Sequence, residues 1–567
     1  RAAATPEQRR TRRAARGAAR PGALSAMVVN PGVNFETSAV VTDYLYLDAP
    51  IALVTGGTAV TAVDMYVDDN AAFDIASGAT LSVTGSCGYS SYAPTVPAGI
   101  CPNPQYVASF ITASAPGTDV FVAASGAVAA APAGWGVVVS DSREAPMVDT
   151  PVGFSIALNE GDACTFGTSS APIVGSLTVT TDSGGRAAMP LRFTGNSGSC
   201  VIQAVTGTLS YLLRAYAVPG PSTAYKVFIG ASSGAWSDPN NWVNTTNLGA
   251  LSQSAPQPGD RVFVTQAGMT RNDLYVDVPS TVGVVRLGDG VTLGLGTSTL
   301  TVTDSITGGV VTGGTGSVLQ LAGTNQMVGT SVTGAALVFG TAACSTESFR
   351  LLGDVTGGSG ITVNCPLDLN GHSLHSGYDL RTANLGSLTM GSASTVTVVN
   401  DATFGGAAGS ITGGAITVGG NLAVTDPAAL QLPSATTLMM SATTTKSVTL
   451  PAAAGAKLGA FYVSNPAGVQ LGGVGEMSSL YLYAGGDAAQ ASKLTIGSGA
   501  ALSVATRADV NQWALLTIAG GGSLSVPTLS IGLNGSVVAN GTLTVTDCQQ
   551  GSQVTGPGKP ASCSPPQ

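Results

Sequence analysis

Apolar and polar positions alternate in short runs along most of this chain. From residue 35 onward, nearly every segment holds a few alternating aliphatic positions bounded by Gly, Asn, Asp or Pro. Alternation with a period of two places every second side chain on the same face of a β-strand, and the bounding residues favour turns. Amphipathic helices are not indicated. The pattern therefore predicts an all-β protein.

One nine-residue phrase recurs near both ends of the chain. It reads IASGATLSV at 75–83, IGSGAALSV at 496–504 and IAGGGSLSV at 518–526. Each copy has an aliphatic residue, a Gly-containing spacer and then Leu-x-Val, which predicts a strand end, a tight turn and a second strand. Related phrases are LGDGVTLGL (287–295), LDLNGHSLHS (367–376), MGSASTVTV (390–398) and ITVGGNLAVT (416–425).

The recurrence of this unit, at roughly 20–25 residues, indicates a solenoid. A single strand–turn–strand unit cannot bury its own apolar face, whereas stacked units bury a continuous core. We expect a parallel β-helix over 225–547. We also expect a few coils of the same kind within an N-terminal β segment at 27–144, which would serve in assembly or as a cap.

Three segments resemble sequences of secreted bacterial right-handed parallel β-helix proteins of the surface or passenger type. GAWSDPNNWVN (234–244) is similar to the Trp-containing entry of such helices, and PQPGDRVFVTQAG (256–268) follows it in the same way. PLDLNGHSLHSG (366–377) is similar to a turn common in them. The resemblance implies the solenoid fold and an extracellular or cell-surface location.

Residues 145–220 have a different character. GSLTVTTDSGGRAAMPLRF (175–193) resembles bacterial Ig-like (Big-1-like) domains, in which a Thr-Asp turn precedes the final strands. The matching positions here are Thr181, Asp182, Gly185, Arg186 and Ala187. The resemblance implies an Ig-like β-sandwich, and the short strands and turns suit a sandwich of this size.

Composition indicates a surface covered by uncharged polar residues. Only 9% of the 567 residues are charged, 76 are Gly, and the mean hydropathy is +0.32. Gly, Ser, Thr and Asp nevertheless interrupt every apolar stretch before it reaches the roughly 18 residues that a membrane span needs. We expect no membrane span and no nucleic-acid partner.

The net charge of −9 conceals a basic N-terminal segment. The first twenty residues hold seven Arg and one acid, Glu7. Such a charge block at 1–26 is typical of a disordered or processed leader. The alternative is an arm that binds an anionic surface or the acidic body of a neighbouring subunit.

The eight cysteines fall into neighbouring pairs and favour disulfides in an oxidising, extracellular setting. Eight cysteines allow 105 connectivities, so local pairing is only the simplest hypothesis. No CxxC occurs, which argues against a zinc site. The pairs are Cys87 with Cys101, Cys164 with Cys200, Cys344 with Cys365, and Cys548 with Cys563, the last in a Pro- and Cys-containing tail at 548–567.

Catalytic chemistry is not indicated. A glycan-cleaving site needs clustered acids on successive coils, but the acids of the predicted helix are scattered singly. His372 and His375 fall in a turn phrase, and no nucleophile or metal motif is present. We expect no enzymatic activity and no cofactor. The acids are Asp273, Asp277, Asp289, Asp354, Asp368 and Asp379.

Two further clusters each have two interpretations. Asp64, Asp68 and Asp69 offer carboxylates for Ca²⁺, but they lack EF-hand spacing, so a solvated turn is favoured. Trp236 and Trp242 flank SDPNN, and they form either an aromatic sugar platform or, as we favour, a cluster that closes the first coil.

The leading functional hypothesis is a secreted structural protein. Open strand edges at the ends of a β-helix favour stacking, so copies of the chain would form a head-to-tail filament. The alternatives are a monomeric adhesin that binds cell-surface polysaccharide and, third, a polysaccharide lyase or hydrolase. The predicted stacking residues come from the recurring phrase: Ile75, Leu81, Val83, Ile518, Leu524 and Val526.

Overall fold

The fold is all-β, with 56% strand, almost no helix, and a parallel β-solenoid of about 21 turns. The chain divides into two compact units, 1–217 and 218–567. The Arg-rich segment 1–26 lies outside the described residues. A computed structural model describes residues 27–29, 34–35, 39–53, 57–68, 70–85, 87–89, 96–97, 100, 108–114, 120–124, 131, 134–141, 144–167, 172–173, 175–218, 225–244, 254–453, 455–484, 487–549 and 553–563.

The first unit contains strands β1–β19. Their bounds are β1 Met27–Val29, β2 Asn34–Phe35, β3 Ala39–Leu47, β4 Pro50–Leu53, β5 Ala59–Val67, β6 Ala72–Ile75, β7 Thr80–Val83, β8 Cys87–Tyr89, β9 Phe110–Ala113, β10 Val120–Ala124, β11 Gly136–Ser140, β12 Pro151–Glu160, β13 Cys164–Gly167, β14 Pro172–Ile173, β15 Ser176–Thr180, β16 Arg186–Ala188, β17 Leu191–Phe193, β18 Gly198–Thr206 and β19 Leu209–Val218.

The first eight strands form parallel coils. One sheet has the order β1-β3-β5-β7 with β8 beside β5, and a second has the order β2-β4-β6. Leu45 pairs with Met65, twenty residues later, and both side chains are buried. Alternate aliphatic positions therefore point into one core, as the sequence pattern predicts for this segment.

The remaining strands of the first unit are antiparallel. They form sheets in the orders β10-β19-β18-β12-β15, β16-β11-β9 and β14-β13-β17, around one shared hydrophobic core. Strands β9, β10 and β11 lie inside the predicted N-terminal segment 27–144, yet they pair with this antiparallel region. Alternation identifies a strand but not the direction of its partner, so the sequence could not assign these three strands.

The Thr-Asp turn quoted above forms a tight turn between β15 and β16, which lie in different sheets. The Asp182 side chain accepts hydrogen bonds from the backbone N–H groups of Gly184 and Arg186, at 2.9 and 3.0 Å. These backbone hydrogen bonds, that of Arg186 first, lower the pKa of Asp182. Gly185 has a φ of +70°, a conformation that favours glycine.

The second unit holds one long sheet that winds as a solenoid. Its strands are β20 Tyr225–Phe228, β21 Trp242–Asn244, β22 Arg261–Val264, β23 Ser280–Leu287, β24 Thr292–Gly294, β25 Thr299–Thr312, β26 Val318–Leu321, β27 Gln326–Thr333, β28 Ala336–Phe339, β29 Phe349–Leu351, β30 Val355–Gly357, β31 Ile361–Val363, β32 Leu367–Asp368, β33 Ser373–Ser376, β34 Leu380–Thr382, β35 Leu388–Met390, β36 Thr395–Val398, β37 Ala402–Phe404, β38 Ser410–Ile411, β39 Gly414–Val418, β40 Leu422–Val424, β41 Gln431–Ser441, β42 Lys446–Thr449, β43 Ala456–Ser464, β44 Val469–Gly472, β45 Val474–Met477, β46 Ser479–Leu482, β47 Lys493–Ile496, β48 Ala501–Val504, β49 Arg507–Val510, β50 Leu515–Ile518, β51 Ser523–Ile531, β52 Ser536–Ala539, β53 Thr542–Gln549 and β54 Val554–Thr555.

Helix is confined to short connections in the described part of the second unit. The α-helix α1 spans Gln266–Met269, and single 3₁₀ turns span Pro239–Asn241, Pro427–Ala429 and Ala561–Cys563. Among the described residues, no helix is long and apolar enough to span a membrane.

Each turn of the solenoid stacks directly on the previous one. In the middle of the sheet every strand pairs with the third strand after it, as β30 does with β33, so one turn holds three strands. One inward column shows the regularity, since every member is a buried aliphatic residue: Leu300, Leu319, Leu337, Ile361, Leu380, Ala402, Leu422, Val448, Leu471, Ile496, Ile518 and Ala539.

Successive members of this column are 18 to 26 residues apart, from Leu319–Leu337 to Leu422–Val448. At about 4.8 Å per turn the eleven steps give a column about 50 Å long. The corners therefore absorb differences in turn length while the strands keep their register.

Three of the four predicted disulfides are confirmed: Cys164–Cys200, Cys344–Cys365 and Cys548–Cys563. Cys87 is also disulfide-bonded, and Cys101, its predicted partner, lies outside the described residues. Disulfides of this kind persist in oxidising compartments, which is consistent with a secreted protein.

Candidate functional site

The recurring phrase lies inside the coils. Ile75, Ile496 and Ile518 each end a strand, and the strand after the turn directs its Leu and Val inward. Ile75 packs partly buried against the first unit's core. The other five predicted stacking residues are buried: Leu81, Val83, Ile518, Leu524 and Val526.

These six positions are therefore core positions rather than contact positions, which corrects their assignment as an interface. The alternation that makes the phrase recur is the same alternation that turns its aliphatic side chains inward. Strands β50 and β51 are moreover covered by the next turn, through β52 and β53. Stacking of whole subunits stays a prediction.

Residues 553–563, here called the C-terminal cap, lie over the last turn of the solenoid. Strand β54 pairs with β52, and the Gly558 N–H donates to the Ala539 carbonyl at 2.8 Å. The Ser562 hydroxyl donates to the carbonyl of Val545 in β53, also at 2.8 Å. Cys563 is fully buried and joined to Cys548. Part of the predicted tail 548–567 thus closes the C-terminal end.

An aromatic cluster fills the other end of this sheet. Trp236 and Trp242 are 1% and 0% exposed, and their ring centroids lie 5.0 Å apart at an interplanar angle of 70°. The Trp242 indole N–H donates to the Trp236 carbonyl at 2.9 Å, and Phe228 packs edge-on against Trp242. Neither indole presents a face to solvent, so this pair closes the first coil and is not a sugar platform.

The predicted Ca²⁺ residues do not form a ligating group in the described part of the chain. The Tyr46 hydroxyl donates to Asp68, whose carboxylate is thereby engaged. No set of three potential ligands that includes Asp64 or Asp68 comes within reach there. Asp69 lies outside the described residues.

One group of three potential metal ligands occurs elsewhere in the described residues. Side-chain atoms of Cys344, Glu347 and Cys365 all lie within 4.8 Å of one another. The two cysteines are joined as a disulfide, and Glu347 accepts hydrogen bonds from the backbone and hydroxyl of Thr341. These residues therefore stabilise a corner of the solenoid.

Several of the scattered acids named in the sequence analysis hold turns. The Asp354 carboxylate accepts from the Ser373 N–H at 2.8 Å, and Asp368 accepts from the Asn370 N–H at 2.9 Å. His372 lies 3.9 Å from Asp354, with its side chain about a third exposed. Asp277 and Asp379 likewise accept from neighbouring turns, through Ser237 and through Asn400 and Asp401. His375 stands between Thr356 and Thr397 in its column.

Tyr462, Tyr481 and Tyr483, here called the tyrosine strip, stand on the outer face of the solenoid. Tyr462 in β43 and Tyr481 in β46 are register partners, and their rings stack with centroids 4.6 Å apart. Tyr483 follows β46, its centroid lies 5.8 Å from that of Tyr462, and it is 45% exposed. Burial raises the pKa of Tyr462, with smaller contributions from Tyr481, Tyr483 and Asp509.

Polar groups occupy the next turn beside the tyrosine strip. Asp509 is the register partner of Tyr481, and the Arg507 Nε donates to its carboxylate at 2.9 Å. Asn511 follows β49 and donates through its amide to the carbonyl of Leu482 at 2.8 Å. Aromatic rings, an ion pair and an amide thus share one outward face.

Trp513 lies at the corner that follows Asn511. Its φ of +65° is left-handed, which costs a bulky L-residue about 1–2 kcal/mol. The Trp513 N–H donates to the carbonyl of Leu533, on the next turn, where Leu533 is 66% exposed. Of the four tryptophans of the chain, Trp513 is the one that is not buried.

The sequence reasoning missed this face, although a signal was present. In FYV (461–463) and LYL (480–482), period-two alternation turns each Tyr away from the core that its aliphatic and Phe neighbours fill. Comparison with models of known families, with characterised proteins and with solved structures gave no match. The function has to be inferred from the residues of this chain.

Proposed function

We propose that this chain is a non-enzymatic, secreted structural protein that acts as a single subunit, a surface adhesin whose solenoid displays a lateral binding face. The C-terminal cap carries this proposal. An open β-solenoid end invites edge-to-edge pairing, whereas residues 553–563 cover the last turn and are tied to it by Cys548–Cys563. The side of the solenoid then remains for contacts with a partner.

What supports a non-enzymatic role is the use of the acids. Asp277, Asp354, Asp368 and Asp379 are committed to backbone and side-chain hydrogen bonds that hold turns. A general acid and a base for glycan cleavage must instead face a common substrate from a fixed separation. The disulfides support an extracellular or cell-surface location.

We further infer that the antiparallel strands of the first unit form an Ig-like domain. Cys164 in β13 and Cys200 in β18 join two different sheets. The buried side chains of these sheets share one core, and Ala187 of the Thr-Asp motif belongs to it. Such a domain suits a surface protein as a spacer or a second module.

Head-to-tail filament formation is the second candidate. It is supported by the coils β1–β8, which repeat the parallel geometry of the large solenoid with a similar turn length. In that arrangement, the backbone edges of these coils would pair with a neighbouring subunit.

Measurement of the native molar mass separates the two candidates. Multi-angle light scattering of the intact chain should give a single species near 55.8 kDa, and negative-stain microscopy should show separate particles. Deleting residues 553–567 should expose β53 and produce larger species. If the intact chain forms polymers, and these disappear when residues 27–115 are deleted, the filament proposal would replace the adhesin proposal.

A further inference from the structure

The outer face around the tyrosine strip departs from the rest of the solenoid surface in its chemistry. On the same strands the neighbouring outward positions are small, with Ala460 and Ser464 on β43 and Ser479 on β46, while Met439 of β41 is the register partner of Tyr462 on the preceding turn. The rings of Tyr462 and Tyr481 therefore rise above their neighbours, next to Arg507 and Asp509. Neither ring is needed for the core, which Phe461 and Leu480 fill.

We propose that the tyrosine strip, together with Arg507, Asp509, Asn511 and Trp513, binds a neutral polysaccharide. This assignment rests on the proposed surface role and names the ligand class that such a role would use. Because the rings of Tyr462 and Tyr481 stack on each other, these two present their edges and hydroxyls to a ligand, whereas the exposed Tyr483 offers a ring face for the C–H groups of a sugar. Arg, Asp and Asn side chains supply directed donors and acceptors for sugar hydroxyls.

Charge on this face favours a neutral ligand. Arg507 and Asp509 form an ion pair, so the pair presents hydrogen-bonding groups without a net charge. Asp509 is 9% exposed, which holds its carboxylate in place as an acceptor. An anionic glycan would need uncompensated cations, as found where Arg clusters bind phosphate or sulfate.

The size of the face favours a glycan over a protein. A stable protein interface needs about 800 Å² per partner, and three partly buried rings, which bury at most about 150–250 Å² each, do not reach this area. The ring centroids of the tyrosine strip lie 4.6 and 5.8 Å apart, so the three side chains form one compact group. A linear polysaccharide can therefore contact several rings along the face.

Trp513 supplies an independent reason to assign a function here. A glycine would hold the same corner without strain, and the equivalent corner one turn later carries Asn534 with a φ of +60°, which Asn tolerates well. Strained residues persist where a side chain is required at that position. A partly exposed indole held in this conformation has the form of a ligand contact.

Affinity electrophoresis of the intact chain through gels containing soluble β-glucan, xylan, mannan or galactan tests the proposal. We expect retardation in at least one gel and a loss of affinity of about tenfold or more for Tyr481→Ala, as for an anchor residue at a binding site. Tyr378→Ala is the matched control, because Tyr378 is 55% exposed at a different corner. The control should bind like the unchanged chain.

Trp513→Gly separates a binding role from a structural one. It relieves the left-handed backbone, so its thermal midpoint should not fall, while its affinity should fall about tenfold. Failure of all four glycans to retard the chain, retardation only by dextran sulfate, or equal losses in Tyr378→Ala and Tyr481→Ala would overturn the glycan site. The glycan-binding results do not bear on whether the protein is monomeric. Light scattering tests that single-subunit role separately.

Discussion

The C-terminal cap predicts a local change of stability when its disulfide is removed. The perturbation is the double substitution Cys548→Ala/Cys563→Ala, which avoids a free thiol and keeps a small apolar side chain at the buried Cys563 position. The end turn of a solenoid has a neighbour on one side only. The last turn therefore depends on the C-terminal cap for its stability more than any interior turn does.

The magnitude follows from the length of chain that the bond closes. Cys548 and Cys563 are 15 residues apart, and in the chain-entropy account a disulfide across such a loop contributes about 3 kcal/mol. Opening of the last turn should become easier by this amount, which corresponds to a factor on the order of 100 in the opening equilibrium.

Hydrogen exchange read by mass spectrometry measures the effect. Peptides from β53 and β54 should exchange on the order of 100-fold faster in the double variant, while peptides from β23–β25 keep their rates. The control Cys344→Ala/Cys365→Ala removes a bond across 21 residues in the interior and should leave β53 unchanged. Unchanged exchange in β53, or an equal acceleration in every turn, would refute the reasoning.

Three other predictions concern the interior and the first unit. Burial, and then the hydrogen bond to Asp68, raise the pKa of Tyr46 above its ordinary value near 10. The first unit should therefore lose stability as pH rises from about 10. Absorbance titration should show one tyrosine that ionises at a higher pH than the others, and Asp68→Asn should move its pKa back toward the ordinary value. Phe461→Ala should lower the urea unfolding free energy by about 3–5 kcal/mol, because Phe461 is fully buried, and a loss below about 1 kcal/mol would contradict this. Gly386→Ala should destabilise strongly, since its Cβ would lie 1.8 Å from a backbone oxygen, whereas Gly391→Ala, with nothing within 4 Å, should change stability by less than about 0.5 kcal/mol in the same assay.

Sequence periodicity was sufficient to predict the solenoid because a strand and a turn each depend on residues that are close together in the chain. The phrase at 496–504 forms the end of β47, a turn and β48, as its alternation predicts. The direction of pairing is not local, so the alternation does not predict that β11 pairs antiparallel with β9 and β16. Strand β11 also pairs with β16, and β10 lies beside β19, and both of these partners follow in the chain by dozens of residues.

The candidate site was less accessible to sequence reasoning than the fold. Tyr462 and Tyr481 are 19 residues apart and become neighbours only through the register of β43 and β46. The spacing between turns varies, so a fixed period does not align them. The C-terminal cap could not be predicted for another reason. Residues 553–563 lack the aliphatic alternation of the coils, and only the cysteine pair indicates that they are attached to the solenoid.

The inward column from Leu300 to Ala539 has a consequence for how such a chain can change its length. Each turn of the solenoid pairs in the same way with the turn before and the turn after it, while successive column members are 18 to 26 residues apart because the corners differ in length. A segment that spans one turn, such as Ile496 to Ile518, is thus an interchangeable module. Duplicating it would lengthen the core by about 4.8 Å without a new kind of contact. The phrases at 496–504 and 518–526 are identical at five of nine positions, as expected of a protein elongated by copying its own turns.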